Sequence, residues 1–352
     1  MKFTRRQVLK TGLYAGAGMM LPLRFLPARA FANNGGQACD LLGLGCTNFG
    51  LSNPKLQPKF VEYAPNALDP SFIYQPDNKG RYKINIKEAI HETGLIDPAT
   101  NVRLKTPIWG YGTWGKEKLI TWPGRTFEVK SVSAGGSPET EVFWANSLDD
   151  VQQHLLPVDT NLHWCYSLHG ESSATGHDYR QYSIANNGVP LITHLHGGNT
   201  DFQFDGNPEF FYSPEINGFQ VVGPQWGSVP GGLTTKFRYN NDVNAGNLWY
   251  HDHALGITRL NVYAGLAGFY FIRDIFDTGK PGNGLDLPAY PYELAYAIQD
   301  RMFRAGGRLF YPAFPGDPFY KGFITDEGAV LPPDLFPGGG PTALAEFFGD
   351  HM

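Results

Sequence analysis

The sequence predicts an all-β fold, an antiparallel sandwich of short strands. Two observations lead there. Short apolar–polar alternations recur from Thr106 onward, and turn residues separate them. The 43 Gly and 27 Pro are spread over 352 residues without a period, which excludes collagen-like and low-complexity chains. With 14 % aromatic residues as well, the balance favours short strands joined by many turns. No internal repeat at solenoid or propeller spacing is visible.

Residues 1–32 read as a leader. Thr4-Arg5-Arg6-Gln7-Val8-Leu9-Lys10 has the pattern of a twin-arginine export signal, a Gly-rich apolar stretch runs on to Leu23, and Ala30-Phe31-Ala32 offers a cleavage site. That stretch is shorter than the ~20 residues a spanning helix needs, and Arg24 breaks it. Export is therefore expected over anchoring, to the periplasm or outside the cell, with no membrane span left after cleavage. In such an oxidising compartment Cys39 and Cys46 are able to close a small loop, leaving Cys165 over.

Residues 33–104 read as an arm rich in Pro, Asn and Gly, with one short alternation at 81–86 (Tyr82, Ile84, Ile86). A first domain is expected over 105–276. Its strand candidates are 126–132, 141–146, 191–196, 234–239, 246–251 and 267–273. A linker, 277–290, opens with Asp277-Thr278-Gly279-Lys280-Pro281-Gly282-Asn283-Gly284. Residues 292–300 then read as the opening strand of a second domain, 291–352, which is too short to be complete.

Charge excludes one class of partner. Only 17 % of residues are charged, the net charge is −5, and no like-charge run exists, so there is no footprint for nucleic acid.

The histidines carry the chemistry. Ten His in a chain of this length would give roughly 0.3 His-x-His patterns by chance, and there are two. These are Thr193-His194-Leu195-His196-Gly197-Gly198 and Trp249-Tyr250-His251-Asp252-His253. On a strand, positions i and i+2 share a face, so each pair presents two imidazoles in one direction. Four neutral imidazoles suit copper or zinc, and not magnesium or calcium. A zinc hydrolase would need an open metal position and usually a carboxylate base, and Asp252 faces away from its neighbouring His. Gly197 and Gly198 are expected to admit a second backbone or a ligand.

These motifs resemble those of a known family. His194-Leu195-His196-Gly197 and Trp249-Tyr250-His251-Asp252-His253-Ala254 are similar to the first two copper motifs of multicopper oxidases. The run from Gly256 to Gly268, together with Tyr111-Gly112, Leu156-Pro157-Val158-Asp159-Thr160 and Ile298-Gln299-Asp300-Arg301, resembles the branch of spore-coat laccases, bilirubin oxidases and phenoxazinone synthases. The resemblance implies a cupredoxin-like Greek-key β-sandwich, one complete domain plus the start of a second. It also implies copper as the cofactor, with His194 on the type 2 ion and His196, His251 and His253 on the type 3 pair. Dioxygen would be the acceptor, and a phenol, a pigment or a metal ion the reductant. Asp205, in Asp205-Gly206-Asn207, matches an acidic residue that the branch places near the oxygen channel, where a proton donor makes sense. As a plain alternative, Asp205 is a turn residue before Gly206.

Departures bear on activity. The family's third and fourth motifs, His-Pro-x-His-x-His and His-Cys-His, have no match here, so the type 1 ligands and half of the cluster ligands are missing from this sequence. His163, Cys165 and His169 lack the neighbours a substitute blue-copper site needs. The chain alone is therefore expected not to turn over. The rival expectations are a non-catalytic copper-binding or structural cupredoxin protein and a zinc hydrolase.

Overall fold

The computed structural model describes residues 52–116, 119–156, 163–167 and 181–311. The leader, Cys39, Cys46 and His169 lie outside the described residues.

Two compact units emerge. The larger takes Phe60–His91 and Thr106–Arg301 and holds two four-stranded sheets. Its strands are β1 (Tyr82–His91), β2 (Thr106–Thr113), β3 (Gly124–Lys130), β4 (Glu139–Asn146), β5 (Thr193–His196), β6 (Lys236–Asn240), β7 (Gly246–Asp252) and β8 (Ala267–Arg273). The sheet orders are β2-β1-β4-β6 and β3-β8-β7-β5. Most neighbours are antiparallel, but β1 with β4 and β3 with β8 run parallel, as the Greek-key crossings between two sheets require. The architecture is all-β. Among the described residues two short α-helices accompany it, α1 (Ile184–Asn187) and α2 (Thr258–Ala264). Among the described residues no helix is long and apolar enough to cross a membrane.

Alternation explains the strands. In β4 the residues Thr140, Val142 and Trp144 turn inward, and in β6 Phe237 and Tyr239 do. Trp109, Tyr111, Phe127, Trp144, Tyr239, Tyr250 and Tyr270 are fully buried between the sheets. Their rings meet mostly edge to face, with Tyr250 at 5.0 Å from Tyr111 and 5.2 Å from Phe127. The phenol of Tyr250 donates to the carbonyl of Arg125 at 2.7 Å, passing over the paired Gly124 and Gly268. A Cβ at either glycine would lie 2.3 Å from that oxygen, so both positions need glycine.

Two segments differ from the sequence expectation. Strand β1 falls within the segment expected as an arm, and it extends to His91 because it pairs with β2 from Ile84 to His91. Residues 292–300 form no strand: Ala295 donates to Asn66 Oδ1 and accepts from the N–H of Ala67, and most of the stretch is exposed. At the end of β8 the Arg273 guanidinium, whose side chain is 5 % exposed, meets Glu128 at 2.8 Å, Asp277 at 3.1 Å and Glu293 at 2.7 Å.

The smaller unit includes Glu92–Lys105 and Met302–Phe310. It holds the hairpin of β9 (Met302–Phe303) with β10 (Leu309–Phe310). Gln57 ties it by exchanging hydrogen bonds with the backbone of Ile96 at 3.0 and 2.9 Å.

Candidate metal centre

The second sheet builds the site. In the β5–β7 ladder His194 opposes His251, and His196 opposes Trp249. Opposed residues of an antiparallel pair share a face. Thr193 and Leu195 of β5 turn to the core, as do Tyr250 and Asp252 of β7. The alternation sends His194, His196, Trp249 and His251 to the other face. His253 lies one residue past β7, and its N–H donates to the carbonyl of Ile192 at 2.8 Å.

The four imidazoles converge. Their ring centroids stand 5.1 to 5.6 Å from their neighbours in the cluster. Ligand nitrogens of His194, His196 and His251 all lie within 4.8 Å of one another. The nearest pair, His196 Nδ1 and His251 Nε2, is 3.3 Å apart. Trp249 stacks on His251 at 4.1 Å and on His196 at 5.1 Å, walling one side of the group.

Backbone carbonyls set the proton positions. His194 Nδ1 meets the carbonyl of Asp205, His253 Nδ1 meets that of Gly206 at 3.1 Å, and His251 Nδ1 that of Asp252 at 2.7 Å. A carbonyl only accepts, so in all three rings Nδ1 carries the hydrogen and Nε2 keeps its lone pair. His196 alone of the four turns Nδ1 inward to another imidazole. Gly206 has a φ of +76°, and a Cβ there would lie 2.5 Å from His194 Cα. Only glycine lets this loop approach β5 closely enough to serve both histidines.

Electrostatics favours the neutral ring at His251 and His253. His251 is depressed to about 4, by burial first and then by the charge its neighbouring imidazoles would carry. His253 is lowered for the same reasons. Four imidazoles, three of them oriented by backbone acceptors, fit a borderline-soft ion such as copper. The donor set lacks a carboxylate. Asp205 Oδ1 lies 3.6 Å from His194 Nδ1, behind the ring and not opposite Nε2.

Each sequence candidate thus has a place. The four histidines come together, and Asp205 sits at their edge. A Cβ at Gly197 would meet the side chain of Leu248, and one at Gly198 those of Leu195 and Thr200. Cys165 is buried, its thiol donates to the carbonyl of Leu255 at 3.3 Å, and burial raises it far above the usual thiol range. Trp249 and Asn261 lie in runs that the sequence singles out but gives no role of their own, and nothing in the sequence singles out His154.

No family model matches the chain. Among curated relatives, a laccase of Bacillus subtilis (strain 168) is 32 % identical over 262 residues, covering 74 % of this chain and 41 % of that protein. A laccase of Bacillus stratosphericus is 36 % identical over 221 residues, covering 62 % and 35 %. A solved multi-copper oxidase from Pediococcus acidilactici superposes with a TM-score of 0.40 at 18 % identity, covering 70 % of this chain and 35 % of that one. The chain thus spans well under half the length of these relatives.

Proposed function

Because the chain belongs to the multicopper oxidase family, we propose that it forms the dioxygen-side portion of a laccase-like oxidase and holds copper through His194, His196, His251 and His253. The observation that carries the reading is the convergence of ring nitrogens of His194, His196 and His251 within 4.8 Å, with the His253 ring 5.1 Å from that of His194. His194 would serve the type 2 ion, and His196, His251 and His253 the type 3 pair. Bound copper would supply the one-electron steps that couple oxidation of a phenol, a pigment or a metal ion to four-electron reduction of dioxygen to water.

The chain's own groups do the remaining work. Carbonyls of Asp205, Gly206 and Asp252 hold three imidazoles through Nδ1, turning each Nε2 toward the cluster. Trp249 closes one flank. The Asp205 carboxylate, partly exposed beside His194, would pass protons from water to the site. Twin-arginine export to the periplasm or beyond belongs to the same proposal, on the Thr4–Lys10 motif.

Copper content of the purified chain tests the site. Uptake that His196→Ala and His251→Ala both abolish supports it. A chain that binds no copper favours a structural scaffold, and tight zinc with a bound water favours a hydrolase. The oxidase is tested by reading the gene past the codon for Met352. A continuing frame with His-Pro-x-His-x-His and His-Cys-His motifs supports it, and a frame without them leaves a copper-binding protein.

A further inference from the structure

Beneath the imidazoles runs a buried polar chain that the proposed chemistry does not use. Asp252 stands between two candidate ligands, yet its side chain turns to the inner face and is 1 % exposed. Its Oδ1 accepts from the N–H of Ile192 at 3.0 Å. Its Oδ2 accepts from the N–H of Ala254 at 3.1 Å and from Asn261 Nδ2 at 2.7 Å. Asn261, buried on α2, accepts in turn from His154 at 2.8 Å. The N–H of Leu156 donates to His154 Nδ1 at 3.0 Å, which leaves the ring hydrogen on Nε2, facing Asn261. The His154 ring also packs edge-on against Trp109, 4.3 Å between centroids.

The arrangement has a specific consequence for His253. The β5–β7 ladder ends at the pair Thr193 and Asp252. One residue on, the N–H of His253 still reaches the carbonyl of Ile192, and the Asp252 carboxylate stands in as the acceptor for the N–H of Ile192. Pairing is thereby prolonged just far enough to orient His253, while Ala254 and its successors turn away. Asn261 and His154 hold the carboxylate in that role from α2 and from the segment before Leu156.

We propose that Asp252, Asn261 and His154 form a positioning relay that sets the offset between the ends of β5 and β7, and with it the aim of His253 and its partners. The proposal rests on the reading that the four histidines hold copper. Fully satisfied buried networks of this kind specify one arrangement, and groups that orient metal-binding imidazoles typically change affinity by about 10–100-fold when altered.

The full chain tests it with three variants. His154→Gln keeps a donor where Nε2 stood and so keeps the link to Asn261. His154→Asn keeps the acceptor for Leu156 and loses that link. Asp252→Asn keeps shape and loses one acceptor. Two quantities are read: copper affinity by competition with a chromophoric chelator, and imidazole proton positions in the metal-free chain by nitrogen NMR. His154→Asn and Asp252→Asn should weaken copper binding about 10–100-fold and shift His253 away from its Nδ1–H form, while His154→Gln retains both wild-type readings. Unchanged affinity and proton positions in the first two variants would overturn the relay. So would a lower melting temperature alone, or outright loss of the fold, since either assigns a merely structural role. If the wild-type chain takes up no copper, the oxidase reading falls, and the proton positions still decide the relay.

Discussion

His194 and His251 oppose one another across the β5–β7 ladder, their rings 5.5 Å apart. Each therefore depends on the other's strand for its direction. The exchange His194→Leu with Leu195→His keeps composition but sends one imidazole to the inner face. We expect loss of copper uptake and a destabilisation on the order of 3 kcal/mol, because a polar ring replaces a buried leucine. Denaturant unfolding beside a copper count checks both; wild-type copper uptake would refute the facing.

Gly206→Ala should act on two histidines at once. The new Cβ would lie 2.5 Å from His194 Cα at a φ of +76°, so the loop must retreat and its carbonyls leave His194 and His253. A stability loss of about 1–3 kcal/mol should accompany weaker copper binding. Gly135→Ala is the control, since its φ of +75° is similar and nothing lies within 4 Å; it should lose stability without losing copper.

Tyr250 and Gly268 should be energetically coupled. Gly268→Ala collides with the phenol oxygen at 2.3 Å and should cost about 1–3 kcal/mol. Tyr250→Phe removes the oxygen from the collision, leaving ring carbons Cζ and Cε1 against the new Cβ, and it also removes the bond to the Arg125 carbonyl, at about 1 kcal/mol. The double variant should be more stable than the sum of the two effects. Strict additivity in a double-mutant cycle would show that the two do not touch.

Acid should weaken the fold through His154. Burial lowers it from 6.5 to about 4. Between those values the unfolded chain binds a proton that the native ring refuses, so stability rises with pH. The contribution is complete above about pH 6.5 and lost as pH falls to about 4, on the order of 3 kcal/mol. The difference in unfolding free energy between wild type and His154→Gln, followed from pH 7 to pH 4, isolates it. A difference that stays constant over that range would contradict the assignment.

Arg273 holds three carboxylates from one buried position. Arg273→Met would leave Glu128, Asp277 and Glu293 facing one another. The loss should be about 2–4 kcal/mol, less than for a fully buried network because the carboxylates are partly exposed. A calorimetric melting temperature within a degree or so of wild type would set that limit aside.

Much of this was legible in the sequence. Strand β8 carries the bounds read from its apolar run, and β6 shows the alternation of Phe237 and Tyr239. The histidines were legible because the i, i+2 spacing is itself a direction on a strand. Residues 292–300 misled for an instructive reason. Tyr292, Leu294, Tyr296 and Ile298 alternate as a strand does, but alternation only equips a segment to pair, and these four stay exposed. His154 and Asn261 were illegible because their meeting depends on where α2 docks, which no local pattern records.

The place of β8 in its sheet has a temporal side. It lies between β3 and β7, although it is made after both. All four histidines leave the ribosome by residue 253, yet β3 has no partner in that sheet until residues 267–273 follow. A nascent chain that displays every candidate ligand therefore still has an open sheet with unpaired edges. The ligands' appearance and the closing of the sheet that carries them are separate events in the life of the protein.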